Sequence, residues 1–276
     1  MESLVSLGYS AWSVLATLSL LLAAGLGATG WGEEPRQWPV ELQVGRFEIH
    51  ADFDVSTAPQ LRPELSNLAS DLQELLEINA SEQPVHVVLF ATGHEYQRYM
   101  HNYFPQLPER RALFIQDRGP GMLFAHWHAD VISDLRHEIT HALLNDSSQP
   151  LPLWLDEGLA EYFEVQRQQR LDGNVYLAEV TRRAAEGIVP SLKQLEDIEQ
   201  LQDFKEPQYR DSWAWVHFLL HRSTMTRQIL KRYLAELRSG AQPLPLSRQM
   251  ANITDDANGE FLSHFAELAA VVNISK

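Results

Sequence analysis

The spacing of hydrophobic positions changes near residue 130 and divides the chain into two differently patterned halves. In the first half, apolar and polar residues alternate over short runs, and a period of two is typical of strands. Two longer runs have apolar residues three and four positions apart, which favours amphipathic helices. The strands predicted here lie within residues 40–53 (two, flanking Gly45), 84–91, 112–115 and 122–127, and the helices at residues 57–79 and 93–103.

In the second half the strand pattern stops and helical spacing dominates. The helices predicted there span residues 131–144, 153–169, 175–186, 209–222, 224–239 and 258–272. A small mixed β-sheet with helices in the N-terminal half, followed by a mainly helical C-terminal half, is an α+β arrangement. We expect the active site to lie between these halves.

The amino terminus has the pattern of an export signal. No charged residue occurs between Glu2 and Glu33, and residues 14–26 are almost wholly apolar. Because residues 11–29 approach the length needed to cross a bilayer, a cleaved signal peptide and a retained membrane tether both stay open. A helix buried in the folded domain is disfavoured, since the segment has no polar face. We therefore predict an exported protein, periplasmic or extracellular.

These patterns give a simple domain organisation. Residues 1–30 form the signal peptide or membrane anchor, residues 31–39 a short linker rich in Gly, Glu and Pro, and residues 40–276 a single folded domain.

Composition narrows the chemistry. The formal net charge of -15 would repel phosphate backbones, so nucleic acid is not an expected partner. The chain has no cysteine, which excludes thiolate nucleophiles and Cys-ligated zinc. Any metal ion must therefore be held by His and carboxylate side chains.

The run His137-Glu138-Ile139-Thr140-His141 supplies such side chains on a predicted helix. Residues four apart share one helix face, so His137 and His141 can direct their ring nitrogens at one metal ion. Glu138 lies about 100° round the helix, where it can reach a metal-bound water as a general base without being a ligand. Two ligands make only half of a catalytic zinc site, which usually has three protein ligands and one open position.

The third ligand is expected on the next predicted helix. Glu157 is the candidate, with Asp156 or Glu161 as alternatives. Glu161, one turn after Glu157, could instead accept the second ring proton of a ligand His and fix its orientation. Gly158 costs about 1 kcal/mol relative to Ala inside a helix, which suggests close approach of the two motif helices.

Together the two motifs resemble the gluzincin metallopeptidases, the peptidase MA-like group that includes relatives of aminopeptidase N and thermolysin. The shared pattern is His-Glu-x-x-His followed by a helix with a Trp-Leu-Asp/Asn-Glu-Gly run, here residues 154–158. The resemblance covers roughly residues 135–220. It implies a zincin-like fold and one zinc ion held by His137, His141 and Glu157, with Glu138 as the base.

A weaker similarity begins at Pro207, where relatives of aminopeptidase N carry a Tyr that stabilises the tetrahedral intermediate. It makes Tyr209 a candidate catalytic residue, with His217 and His221 as substitutes and a structural Tyr in a core helix as the alternative. Two departures matter. The connection between the two motifs is shorter than in aminopeptidases, and no Gly-x-Met-Glu-Asn segment is present, so aminopeptidase specificity has no support.

The expected function is zinc-dependent hydrolysis of peptide bonds in a peptide or protein substrate. We expect residues 122–127 to form an edge strand that could pair with an extended substrate backbone. His126 and His128 are expected to be surface or hairpin residues, with the lining of a cleft as the alternative. Two alternatives stay open: a membrane-tethered binding protein that retains a metal without catalysis, and a zinc hydrolase acting on a non-peptide bond.

Overall fold

A computed structural model of the chain describes residues 38–79, 81–116, 119–145 and 150–274. The predictions for the export segment, the possible tether at residues 11–29 and nearly all of the linker lie outside these ranges. Among the residues that are described, no helix combines the length and apolar character that a membrane crossing requires.

The chain folds as a mixed α+β structure, which confirms the predicted fold class. The sheet has five strands: β1 (Val40–Val44), β2 (Phe47–Ala51), β3 (Val85–Phe90), β4 (Ala112–Ile115) and β5 (Gly121–His126). Their order is β1-β2-β3-β5-β4, with β2, β3 and β5 parallel and β1 and β4 antiparallel to their neighbours.

The prediction that residues 122–127 lie at an edge of the sheet is wrong. β5 pairs with β3 on one side and β4 on the other, so it is internal to the sheet. Within the described part of the chain, β4 occupies that edge. Alternation of apolar residues identifies a strand but carries no information on its neighbours, because pairing depends on contacts distant in sequence.

Local chemistry explains how the first half folds. Val44 pairs with Phe47 across a two-residue turn, and Gly45 in that turn has a φ of +57°, a conformation that glycine adopts without steric cost. The helices are α1 (Leu61–Leu76) and α2 (Gly93–Tyr103). The Thr92 hydroxyl accepts a hydrogen bond from the Glu95 amide and caps α2. The aromatic ring of Tyr96 on α2 packs into a core with Phe90 and Phe124 from the sheet.

The second half is helical, as predicted. Its helices are α3 (Val131–Leu144), α4 (Leu153–Glu164), α5 (Leu177–Ala185), α6 (Leu192–Glu196), α7 (Glu206–His221), α8 (Thr224–Arg238), α9 (Leu246–Ala251) and α10 (Ala257–Ile274). The short helices α6 and α9 were not predicted, because one or two turns hold too few apolar positions to show a period.

Several predicted helix ends shift, and α1 also begins at Leu61 rather than at residue 57. α1 ends at Leu76 rather than residue 79, because Glu77 turns to a φ of +59°. α4 ends at Glu164 rather than residue 169, since Val165 has extended backbone angles. α7 begins before Tyr209, with Pro207 in its first turn, where the missing amide hydrogen has no cost.

Contacts group the described residues into two compact units. The sheet unit comprises residues 38–67, 82–116 and 119–142, and the helical unit comprises residues 68–79, 81, 143–145 and 150–274. Their boundaries fall within α1 and α3, so each of these helices contributes residues to both units.

Gly158 is tightly packed against a neighbouring helix of the helical unit. A Cβ atom added there would lie 2.8 Å from the Ser212 carbonyl oxygen and 2.9 Å from a Val216 methyl group, both on α7. The sequence suggested that this glycine allows the two motif helices to approach each other. The contacts of its Cβ position are instead with α7.

Gly158→Ala should destabilise the protein by about 1–2 kcal/mol, because overlap with backbone atoms outweighs the gain of about 1 kcal/mol in helix propensity. Urea unfolding followed by circular dichroism measures this change. Gly119→Ala is the control, since its added Cβ would meet no atom within 4 Å. A Gly158→Ala variant more stable than the parent would contradict the proposed packing.

Three histidines, of which His217 and His264 are buried and His221 is partly buried, form a cluster in the helical unit. His217 Nδ1 lies 2.9 Å from His264 Nε2, and His217 Nε2 lies 3.1 Å from the Leu171 carbonyl oxygen. His221 Nε2 lies 2.8 Å from the Tyr162 hydroxyl. Burial is the main cause that lowers the pKa of both His221 and His264 to about 4, and it lowers the pKa of His217 well below its ordinary range.

Because of this cluster, the free energy of unfolding should decrease as the pH is lowered. Because the pKa of His221 and His264 is about 4 in the folded chain against 6.5 ordinarily, folding favours the neutral rings. Their contribution is complete above pH 6.5 and is lost as the pH falls to 4, on the order of 3 kcal/mol for each ring. Urea unfolding between about pH 7 and pH 5 should therefore give a decreasing free energy of unfolding.

Two variants assign that pH dependence. His264→Gln should reduce the slope, because one titrating ring is gone, whereas exposed His101→Gln should leave it unchanged. Equal slopes in the His264→Gln variant and the parent would show that the cluster is not responsible.

Candidate metal centre

The first half of the candidate site is one face of α3. His137, Glu138 and His141 are all 0 % exposed. The ring centroids of His137 and His141 lie 4.9 Å apart, as expected for residues four apart on a helix. Sequence spacing alone therefore places these two imidazoles together.

Glu138 is anchored to the sheet. Its Oε2 accepts a hydrogen bond of 2.7 Å from the backbone amide of Phe114 on β4. No local pattern in the sequence indicates this partner, because the two residues are 24 positions apart. The bond fixes the orientation of a fully buried carboxylate, whose burial without polar partners would be costly.

Ion pairs with buried members connect α3 to its neighbours. Arg136, beside His137, pairs with Glu64 of α1, and both side chains are largely buried. In the first turn, Asp134 is 2.8 Å from the Arg111 guanidinium and 3.0 Å from His128 Nε2. His128 is thus a half-buried partner of α3.

Glu157 on α4 joins the two histidines. One ligand atom of each of His137, His141 and Glu157 lies within 4.8 Å of the others, and Glu157 is also 0 % exposed. Ligand atoms about 2.1 Å from a tetrahedral metal are separated by about 3.4 Å, which small side-chain movements can reach from this arrangement. Two imidazoles and a carboxylate are a donor set that fits a divalent metal ion.

A second group shares His137. Ligand atoms of His137, Glu161 and Glu164 also lie within 4.8 Å of one another. Glu161 was predicted as a partner of a ligand histidine, whereas Glu164 was missed. Its position three residues after Glu161 on the same helix is the signal that could have identified it.

No sequence motif singles out Tyr176, whose phenol is influenced by the same two carboxylates. Its pKa is raised above its ordinary value, first by burial and then by the negative charges of Glu161 and Glu164. The phenol consequently stays protonated and can donate a hydrogen bond at neutral pH.

The remaining candidates do not belong to the group of His137, His141 and Glu157. Tyr209 is 1 % exposed in the first turn of α7, with its ring 4.8 Å from that of Phe204. Its proposed substitutes, His217 and His221, belong to the histidine cluster described above. Asp156 is buried but belongs to none of the metal-holding groups found among the described residues.

A third group of this kind lies on the sheet and was not predicted. It comprises Glu48, His50 and His86, which come from β2 and β3. The described residues therefore contain more than one set of His and Glu side chains that could hold a metal ion.

Destabilisation is expected for Glu64→Gln, by about 2 kcal/mol, because it removes the negative charge of Glu64 from its pair with the largely buried Arg136. Glu179→Gln is the matched control: its ion pair with Arg182 is exposed on both sides, so about 0.5 kcal/mol or less should be lost. Urea unfolding at neutral pH compares the two. Equal losses would indicate that the Arg136 pair does not stabilise α3.

Comparison with protein-family models gives no match for this chain, and comparison with curated proteins gives none either.

Proposed function

We propose that this chain is an exported zinc metallopeptidase of the gluzincin type. The observation that carries the proposal is the convergence of His137, His141 and Glu157, all fully buried, with the equally buried Glu138 next to His137 in the chain. Two histidines and one carboxylate are a recurrent ligand set of catalytic zinc, which keeps its fourth position for water or substrate.

The three ligands would hold one zinc ion. When bound, zinc supplies a Lewis acid that polarises a carbonyl group and lowers the pKa of water towards 7. Because all three ligands are fully buried, their donor atoms are shielded from competing solvent. Glu161, near His137, is the carboxylate that would orient its ring.

Glu138 is the proposed general base. It follows a ligand histidine directly in the chain, and its Oε2 is held by the Phe114 amide, which fixes the carboxylate plane. The carboxylate would take a proton from the attacking water and deliver it to the leaving amine. A neutral amide cannot perform this transfer.

The expected substrate is a peptide or protein, and two features bear on how it would bind. Since β4 rather than β5 is at the sheet edge, an extended peptide that adds to the sheet would pair with β4. Tyr209 stays the candidate hydrogen-bond donor to the developing oxyanion. The net charge of -15 disfavours a nucleic acid substrate, because it would repel the phosphate backbone.

Replacement of Glu138 tests the assignment most directly. Glu138→Gln keeps an oxygen that can accept the Phe114 amide hydrogen bond but cannot accept the catalytic proton. We expect unchanged zinc content and a loss of kcat of at least about 10²-fold. Zinc is measured by mass spectrometry of the purified protein, and turnover by proteome-derived peptide libraries.

Chelation provides the complementary measurement. Removing zinc should abolish turnover, and adding zinc back should restore it in the parent but not in Glu138→Gln. Glu179→Gln, on an exposed face of α5, is the activity control. Undiminished peptide cleavage by Glu138→Gln would refute the base assignment. Zinc binding without cleavage of any peptide by the parent would favour a non-peptide substrate or a binding role.

A further inference from the structure

The sheet-face group consists of Glu48, His50 and His86. It lies where β1, β2 and β3 bring polar side chains into register. Glu41 on β1 is paired with His50 on β2, and Glu48 on β2 is paired with His86 on β3. Because alternate residues of a strand share a face, His86 lies on the same face as Val88, which belongs to the core beneath α2. The histidine pair thus borders the apolar core.

The distances within the group suit a metal ion. His50 Nε2 is 3.1 Å from His86 Nδ1, and His86 Nδ1 is 3.4 Å from Glu48 Oε2. Ligand atoms of all three residues lie within 4.8 Å of one another. Donor atoms on one zinc ion are about 3.4 Å apart, so two of these separations already match such a site.

Glu41 has a different position in the group. Its Oε1 is 3.9 Å from His50 Nδ1, the ring nitrogen opposite the one that faces His86. A carboxylate at the second nitrogen of a metal-binding histidine fixes the tautomer and the orientation of the ring.

The exposure of these three side chains suits a metal site with rigid histidine ligands and an ion that can exchange with solvent. The side chains of His50 and His86 are 14 % and 11 % exposed, whereas Glu48 is 41 % exposed. Strands hold the backbone of both histidines, and rotation about their side-chain bonds turns the facing nitrogens towards one point. Glu48 lies on the solvent side, through which an ion can enter.

We propose that Glu48, His50 and His86 bind a second divalent transition-metal ion, of which zinc is the representative, with Glu41 as the residue that positions His50. Imidazole nitrogens disfavour Mg²⁺ and Ca²⁺, which prefer oxygen ligands. The bound ion would link β2 to β3. This site does not depend on the proposed peptidase function, because it shares no residue with the α3 group.

Metal stoichiometry separates the two sites. The full-length chain is dialysed against buffered Zn²⁺, and bound zinc per chain is measured by mass spectrometry. We expect two ions for the parent, one for His50→Gln/His86→Gln and one for His137→Gln/His141→Gln. The control is His94→Gln/His101→Gln, which removes two exposed histidines of α2 and should retain both ions. Circular dichroism verifies that each variant is folded.

The outcomes distinguish the two proposals. One ion in the parent that disappears in His50→Gln/His86→Gln would support the sheet site while contradicting the α3 zinc site. If the parent and the His50→Gln/His86→Gln variant bind equal amounts of zinc, the second site does not exist. If the His50→Gln/His86→Gln variant does not fold, Glu48→Gln takes its place. This substitution should weaken zinc binding at the sheet site at least tenfold.

The role of Glu41 has its own readout. Glu41→Gln should weaken zinc binding at the sheet site by about 10-fold while leaving the stoichiometry at two, since it removes an orienting partner and no ligand. Competition with a zinc-binding dye measures the affinity. Loss of the ion in this variant would make Glu41 a ligand, and unchanged affinity would exclude it from the site.

Discussion

The burial of His137, Glu138 and His141 on one face of α3 is the constraint on which the candidate site depends. Imidazoles and carboxylates removed from water cost several kcal/mol unless hydrogen bonds, opposite charges or a metal ion compensate them. The Phe114 amide compensates one oxygen of Glu138 and so joins α3 to β4. The same hydrogen bond would also orient this carboxylate for the general-base role proposed above.

The ion pairs at the start of α3 also fix the position of that helix. Arg136 is paired with Glu64, and Asp134 with Arg111 and His128, so charged groups on several sides of the helix are matched within the sheet unit. A helix that is held by such pairs must break them to slide or rotate. Its histidines are therefore oriented before any ligand binds, which is the condition for a precise metal site.

The two candidate metal-binding groups come together for different reasons. On α3, the two histidines are neighbours because residues four apart share a helix face. On the sheet, His50 and His86 are neighbours only because β2 and β3 pair in one register. Shifting that register by one residue would place them on opposite faces, so the sheet group depends entirely on long-range pairing.

The sequence by itself determined the α+β fold class, most helices and strands, and the pairing of His137 with His141, because each follows from local periodicity. Only the tertiary structure decided that β4 rather than β5 is at the edge, that α7 packs on Gly158, and that Glu48 joins two histidines on the sheet. The zinc ion, the peptide substrate and the role of Tyr209 stay predictions. Local periodicity fixes which side chains share a face, whereas the packing of distant segments fixes which faces meet.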